Sequence, residues 1–170
     1  MTRDAAAPAN PHHVAEPAAP WAAALQGQVL VGSGPLLALF NAGDSWHARV
    51  LAWLKAHPAM ALVSTWPVLT EATHLITRWV GSAAAQALLR EVADGAIAVW
   101  SWPAEHTARL PDLMHRYTRL PMDLADASLV LLAEHLGHGR ILTTDQRDFG
   151  AYRFKSREPF DNLLLRAAHD

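Results

Sequence analysis

The amino-acid sequence predicts an α/β fold: a three-layer α/β/α sandwich with helices on both faces of a mostly parallel, four- to five-stranded sheet. Short apolar runs alternate with longer segments of helical periodicity, in the order β-α-α-β-α-α-β-α-α-β. Glycine and proline fall between those runs rather than inside them. Hydrophobic residues make up 51% of the 170, which suits one domain with a substantial core and argues against a disordered chain.

Gln28 to Val31 reads as the first buried strand, ending at a glycine. Gly34-Pro35 opens a helix that runs through Phe40 and stops near Gly43, with proline tolerated in the first turn. Asp44 and Ser45 are N-cap candidates for a second helix through Leu54, which His57-Pro58 ends. Met60 to Val63 is the second strand. The helix starting at Ser64-Thr65-Trp66-Pro67 has an apolar stripe of Val68, Leu69, Leu75 and Ile76. Gly81-Ser82 breaks the chain before a helix from Ala83 to Val92, and Ile97 to Trp100 is the third strand. Glu105 to Tyr117 is helical, kinked or split at Pro111. Asp123 begins a helix that Gly137 ends, and Arg140 to Thr143 is the fourth strand. Asp145 to Phe149 is a short turn or helix. An edge strand comes from Tyr152 to Phe154 or from the segment around Phe160.

Residues 1–26 are rich in alanine and proline and read as a disordered leader, leaving 27–170 as a single domain. The leader lacks the uninterrupted apolar stretch of a signal peptide. No apolar run reaches the roughly 18 residues of a membrane span, so no membrane association is expected. There is no cysteine, which excludes disulfides and thiolate chemistry and fits a cytoplasmic location. The net charge of −2 means that any grip on nucleic acid must come from a local basic patch.

In parallel sheets the functional crevice lies outside the carboxyl ends of the strands. Acids gather there. Glu71 sits about one and a half turns into the helix after the second strand. Asp123 and Asp126 open the helix before the fourth strand, and Asp145 and Asp148 follow that strand directly. Each aspartate pair is spaced i, i+3 and shares one helix face. Taken singly, Asp123 and Asp145 read as N-caps, Asp126 and Asp148 as partners of the helix dipole, and Glu71 as a solvated helix residue. Three segments delivering acids to one sheet edge change that reading, because clustered carboxylates repel until a cation neutralises them. Their hard oxygens favour Mg2+ or Mn2+.

The segments LVGSGPLLALF, STWPVLTEATHLI, MDLADASLVLLAEHLG and RILTTDQRDF resemble, in order, the four signature segments of PIN domains, and most nearly those of VapC-type toxins of toxin–antitoxin systems. The resemblance spans Gln28 to Phe160. It implies a PIN-like fold and a metal-dependent endoribonuclease that hydrolyses RNA, is neutralised by a cognate antitoxin and forms a homodimer. Glu71, Asp126 and Asp145 match three of the family's four metal-binding catalytic acids. Asp148 matches a commonly acidic neighbour and Asp123 an accessory acid. The first acid, usually Asp before Thr or Ser at the end of the first strand, is replaced by Gly32-Ser33. Either a naturally degenerate copy or the replacement of an Asp accounts for this, and impaired cleavage is expected. The alternative is a catalytically degenerate PIN module that binds RNA or antitoxin without cutting. A flavodoxin- or receiver-like domain is disfavoured, since such sheets carry acids after early strands.

Arg140, Arg147, Arg153 and Lys155, with Arg157, fall close to Asp145 in sequence and are candidate phosphate contacts; Arg109, Arg116 and Arg119 form a second set. The bland alternative for each is a solvated surface residue. Glu71 and His74 have the Glu-x-x-His spacing of carboxylate-bridged metal bundles, but a single copy does not make that site. His12-His13 is a weak transition-metal candidate in the leader. Trp46, Trp53, Trp66 and Trp79 fall at helix-stripe positions and read as core or interface residues rather than base-stacking platforms. With Phe40 they motivate the expected dimer.

Overall fold

A computed structural model describes residues 27–166, so the leader, including His12 and His13, lies outside the described residues. A single five-stranded sheet, all parallel, runs in the order β3-β2-β1-β4-β7. Its strands are β1 (Gln28–Val31), β2 (Ala61–Thr65), β3 (Ile97–Trp100), β4 (Arg140–Leu142) and β7 (Asp161–Asn162). The edge strand therefore comes from the segment after Phe160. β5 (Arg153–Phe154) instead pairs antiparallel with β6 (Glu158–Pro159) in a separate hairpin.

Helices α1 (Ser33–Phe40) and α2 (His47–Ala56) connect β1 to β2, and α3 (Trp66–Trp79) and α4 (Ser82–Ala93) connect β2 to β3. The segment around Pro111 is split, as its proline predicts: a 3-10 turn (Ala104–Arg109) gives way to α5 (Leu110–Arg116), with Pro111 in the first turn, where its missing N–H costs nothing. α6 (Leu124–Leu136) and the short α7 (Gln146–Ala151) flank β4. One expected cap is corrected. Asp44 accepts the amide of Trp46 at 2.8 Å and so closes the turn before α2, whose N-cap is Trp46.

The core lies between the sheet and α6. Nine of the thirteen residues of α6 are buried, from Ala125 to Leu136, and the helix packs against β1, β2, α3 and α5. Gly137 ends α6 with φ 77°, the left-handed conformation that glycine adopts without penalty. α3 buries Val68, Leu69, Ala72 and Ile76; Ala72 takes the place expected for Leu75. The tryptophans divide. Trp53 is in the core, Trp46 is half-buried, and Trp66 and Trp79 are 54% and 64% exposed, contrary to a core placement. Both stand at the ends of α3, beyond the reach of the neighbours that cover its middle. No helix among the described residues is long and apolar enough to cross a membrane.

Candidate active site

The carboxyl ends of β1, β2 and β4 open onto a cavity of about 280 Å³. Gly32 and Ser33 line it from the end of β1, Glu71 from α3, Asp123 and Asp126 from the start of α6, and Asp145 and Asp148 from the start of α7. All five sequence-selected acids thus meet in one place. The floor is polar as well. The buried polar side chains of the described residues are Ser64, Thr65, Ser128 and Thr143, and all lie near this end of the sheet. Ser64 donates to the Val31 carbonyl at 2.9 Å, tying β2 to the end of β1. Ser128 donates to the Ala125 carbonyl at 2.7 Å, so the 2.6 Å bond between Thr65 and Ser128 takes its proton from Thr65. These bonds fix the first turn of α6 against the sheet.

Each acid has a defined neighbour. Ser33 Oγ donates to Glu71 Oε2 at 2.6 Å. Asp123 Oδ1 caps α6 by accepting the amide of Asp126 at 2.9 Å, and Asp145 Oδ1 caps α7 by accepting the amide of Asp148 at 2.9 Å. Thr143 Oγ1 accepts the Asp145 amide at 3.0 Å and so orients the α7 cap. The first turn of α1 approaches this loop so closely that a Cβ on Gly34 would fall 1.9 Å from Thr144 Oγ1. Tyr152, fully buried, reaches Asp126 Oδ2 with its hydroxyl at 3.2 Å and the Pro121 carbonyl at 3.4 Å. In the sequence Tyr152 reads only as a candidate strand residue. The available signal was that a buried tyrosine needs a partner for its hydroxyl.

The electrostatics single out Asp126. Burial, then the charge of Asp123, with smaller contributions from Asp145 and Glu71, pushes its carboxyl up to about 7; the Tyr152 hydroxyl opposes them. The charges that raise it are those of carboxylates. Asp148 is also raised, by desolvation and then by Asp145, with Arg147 opposing. Burial, then Asp126, raises the Tyr152 phenol, which stays protonated and able to donate.

The expected basic patch is reduced. Arg147 is exposed on α7 beside Asp148. Arg153 directs Nη1 at the carbonyls of Gly150, Ala151 and Tyr152, at 2.9, 3.1 and 2.7 Å, closing the end of α7. Lys155 follows the hairpin strand to the far end of the sheet, where its Nζ lies beside Gly137, and Arg140 opens β4 at that same end. Arg109 pairs with Glu134 at 2.7 Å.

The sequence pattern of the PIN domain matches residues 29–155. The chain belongs to the PIN-domain family. It is 31% identical over 125 residues to ribonuclease VapC26 of Mycobacterium tuberculosis, covering 74% of this chain and 92% of that one. The crystal structure of M. tuberculosis VapC20, a sarcin-ricin loop cleaving toxin, shares the fold with a TM-score of 0.65 and 21% identity, covering 71% of this chain and 92% of that one. The kinship is with the VapC-type PIN ribonucleases.

Among the described residues, no three carboxylates or imidazoles stand close enough to share one ion in this conformation. The donor set nevertheless fits a hard divalent cation. The oxygens are all carboxylate, and Glu71, Asp123, Asp126 and Asp145 each keep one oxygen outside the bonds described above.

Proposed function

We propose that this PIN domain is a VapC-type endoribonuclease whose acid cavity works with Mg2+ or Mn2+, is neutralised by a cognate antitoxin in the cytoplasm, and is impaired by Gly32. The observation that carries the reading is the meeting of Glu71, Asp126 and Asp145 from three elements in one cavity, with Asp126 raised by burial and then by its acidic neighbours. Glu71, Asp126 and Asp145 would hold the ion, with Asp123 and Asp148 at its rim. When bound, the ion shields phosphate charge and lowers the pKa of water. Ser33 orients Glu71, Thr143 orients Asp145, and Tyr152 fixes the near oxygen of Asp126. Asp126 must release its proton before it can serve as a ligand. Arg147 is the basic residue best placed to meet an RNA phosphate.

Gly32 leaves the β1 side of the ring without a charge. Its backbone is extended, with φ −86° and ψ 174°, which any residue adopts. A Cβ there would meet its nearest atoms at 3.7 to 3.9 Å, ordinary contact distances. An aspartate therefore fits. Gly32→Asp is expected to raise cleavage of a fluorescent RNA panel in Mg2+ by about a hundredfold or more, with loss on chelation. Equal activity of the two forms would remove Gly32 from the site. The second reading, a module that binds without cutting, is favoured by the missing charge at Gly32; cleavage by neither form, with RNA retained, would establish it.

The dimer rests on a narrower set than the sequence implied. Trp53 belongs to the core, whereas Trp79, Val80 and Leu89 are 64%, 43% and 45% exposed on the α3–α4 hairpin. Light scattering at micromolar concentration should give twice 18.5 kDa. A monomer that Trp79→Glu leaves unchanged would remove this surface from the assignment.

A further inference from the structure

Beside the acid cavity, and sharing Glu71, Asp123 and Ala125 with it, lies an open groove of about 740 Å³. Its character is the opposite of the cavity's. Trp66, Trp102, Pro67 and Leu124 line it, and Trp66 and Leu124 are 54% and 44% exposed. Large apolar side chains left open at the mouth of a charged site mark a surface that something covers.

We propose that this groove holds an unstacked base of single-stranded RNA, the base adjoining the phosphate presented to the acids, with Trp66 as its stacking platform. The inference rests on the ribonuclease reading of the cavity. Continuity supplies the first argument. In a nucleic acid strand each phosphate is joined through a sugar to a base, so a phosphate at Glu71 and Asp123 leaves its neighbouring base at the groove. Charge supplies the second: the acidic cavity needs a cation between itself and a phosphate, whereas a base is neutral and flat and matches an apolar wall. Construction supplies the third. Trp102 is held by its Nε1–H, which donates to Thr107 Oγ1 at 3.1 Å, and Trp66 stands at the first residue of α3, so one aromatic wall is tethered and the other rises from a helix start. His74, exposed on the groove, has no hydrogen-bond partner among the described residues, and its ring nitrogens can pair with the edge of a base.

The test uses the chain as written and a fluorescein-labelled single-stranded phosphorothioate RNA, which resists cleavage, with anisotropy read in Mg2+. Trp66→Ala is expected to weaken binding about tenfold, and Trp66→Phe to keep most of the affinity. An oligonucleotide series with one abasic position moved along the strand should contain a member that loses a similar factor against the unaltered chain and little against Trp66→Ala. Thermal melting of each variant checks that the fold is intact. If RNA binds and Trp66→Ala changes nothing, or weakens every abasic oligonucleotide equally, the stacking platform is wrong while the acid site stands. If Trp66→Ala keeps its RNA affinity but loses binding of a cognate antitoxin, the groove is a protein-docking surface and the proposal is overturned. If the unaltered chain binds no RNA at all, the ribonuclease reading fails with it.

Discussion

Two helix starts in this molecule have the same local chemistry and different consequences. α6 and α7 each begin with Asp-x-x-Asp, and in each the first aspartate accepts the amide of the second at 2.9 Å. Yet Asp126 is pushed up to about 7, chiefly by burial, while Asp148 sits on a six-residue surface helix next to Arg147, which offsets part of its shift. The difference lies in what the helix is planted in. α6 is buried on nearly every side and pinned by Thr65 and Ser128; α7 has one buried residue, Phe149. A capping aspartate keeps a second carboxylate oxygen outside the cap. The first aspartate of each pair uses one oxygen as a cap; of the second aspartates, Asp126 turns to the Tyr152 hydroxyl, whereas Asp148 shares a side-chain hydrogen bond with Asp145. A cap motif therefore brings a second acid three residues on into the same cavity, and the burial of its helix decides how strongly that acid is perturbed.

The largest consequence concerns catalysis. In the Gly32→Asp background, Asp126→Asn is expected to lower RNA cleavage by at least about a hundredfold, since a group at the centre of the acid ring is lost, and Asp148→Asn by less than about tenfold. Single-turnover rates on one RNA measure both. Comparable losses at the two positions would erase the distinction between the helices.

The second consequence is a pH dependence of the metal-free fold. Asp126 has a folded pKa raised from 3.8 to about 7, so the folded state holds its proton more tightly than the unfolded chain does. Its contribution favours the fold fully below about pH 4 and is lost as pH rises through about 7, the reverse of a salt-bridged carboxylate. With allowance for solvent screening, the loss is on the order of 1–3 kcal/mol. Melting in chelator should therefore show a fall between about pH 4 and about pH 7 that Asp126→Asn flattens. The same scan on Asp148→Asn should keep most of the slope. A slope unchanged by Asp126→Asn would mean that Asp126 is not the acid that titrates.

Much of this arrangement was legible in the sequence because it follows from local rules. The alternation of strands and helices placed Glu71, Asp126 and Asp145 at strand ends, and Gly137 and Pro111 marked a helix end and a split. What escaped depends on contacts distant in sequence. The choice between two edge-strand segments stayed open in the sequence, because Asp161–Asn162 has no hydrophobic pattern; it is held by backbone bonds from Asp161 to Gly139 at 2.8 Å and from Leu163 to Ile141 at 2.9 Å. Arg153 and Lys155 are near Asp145 in sequence, but the hairpin carries the chain away from the acids. Helical periodicity assigned Trp66 and Trp79 to a stripe without indicating that neighbours cover only its middle.

The smallest expected effect tests whether Asp126 is tuned or merely buried. Tyr152 is packed edge-on against Tyr117 and Phe149, with ring centroids 4.8 and 5.4 Å away, so Tyr152→Phe should keep the packing and lose only the hydroxyl. A single hydrogen bond of this kind contributes about 1 kcal/mol net, and the melting temperature should fall by only a few degrees. The informative readout is Mn2+ binding against pH. The hydroxyl opposes the rise of the Asp126 pKa, so its removal should push that pKa higher. A proton then competes with the metal over a wider range, and the midpoint of the binding curve should move to higher pH, with a loss of a few-fold in affinity at neutrality that alkaline pH recovers. A purely structural tyrosine would lower the melting temperature and leave that midpoint where it was. An unmoved midpoint would assign the perturbation of Asp126 to burial and acidic neighbours alone, and the contrast with Asp148 would then be one of depth without tuning.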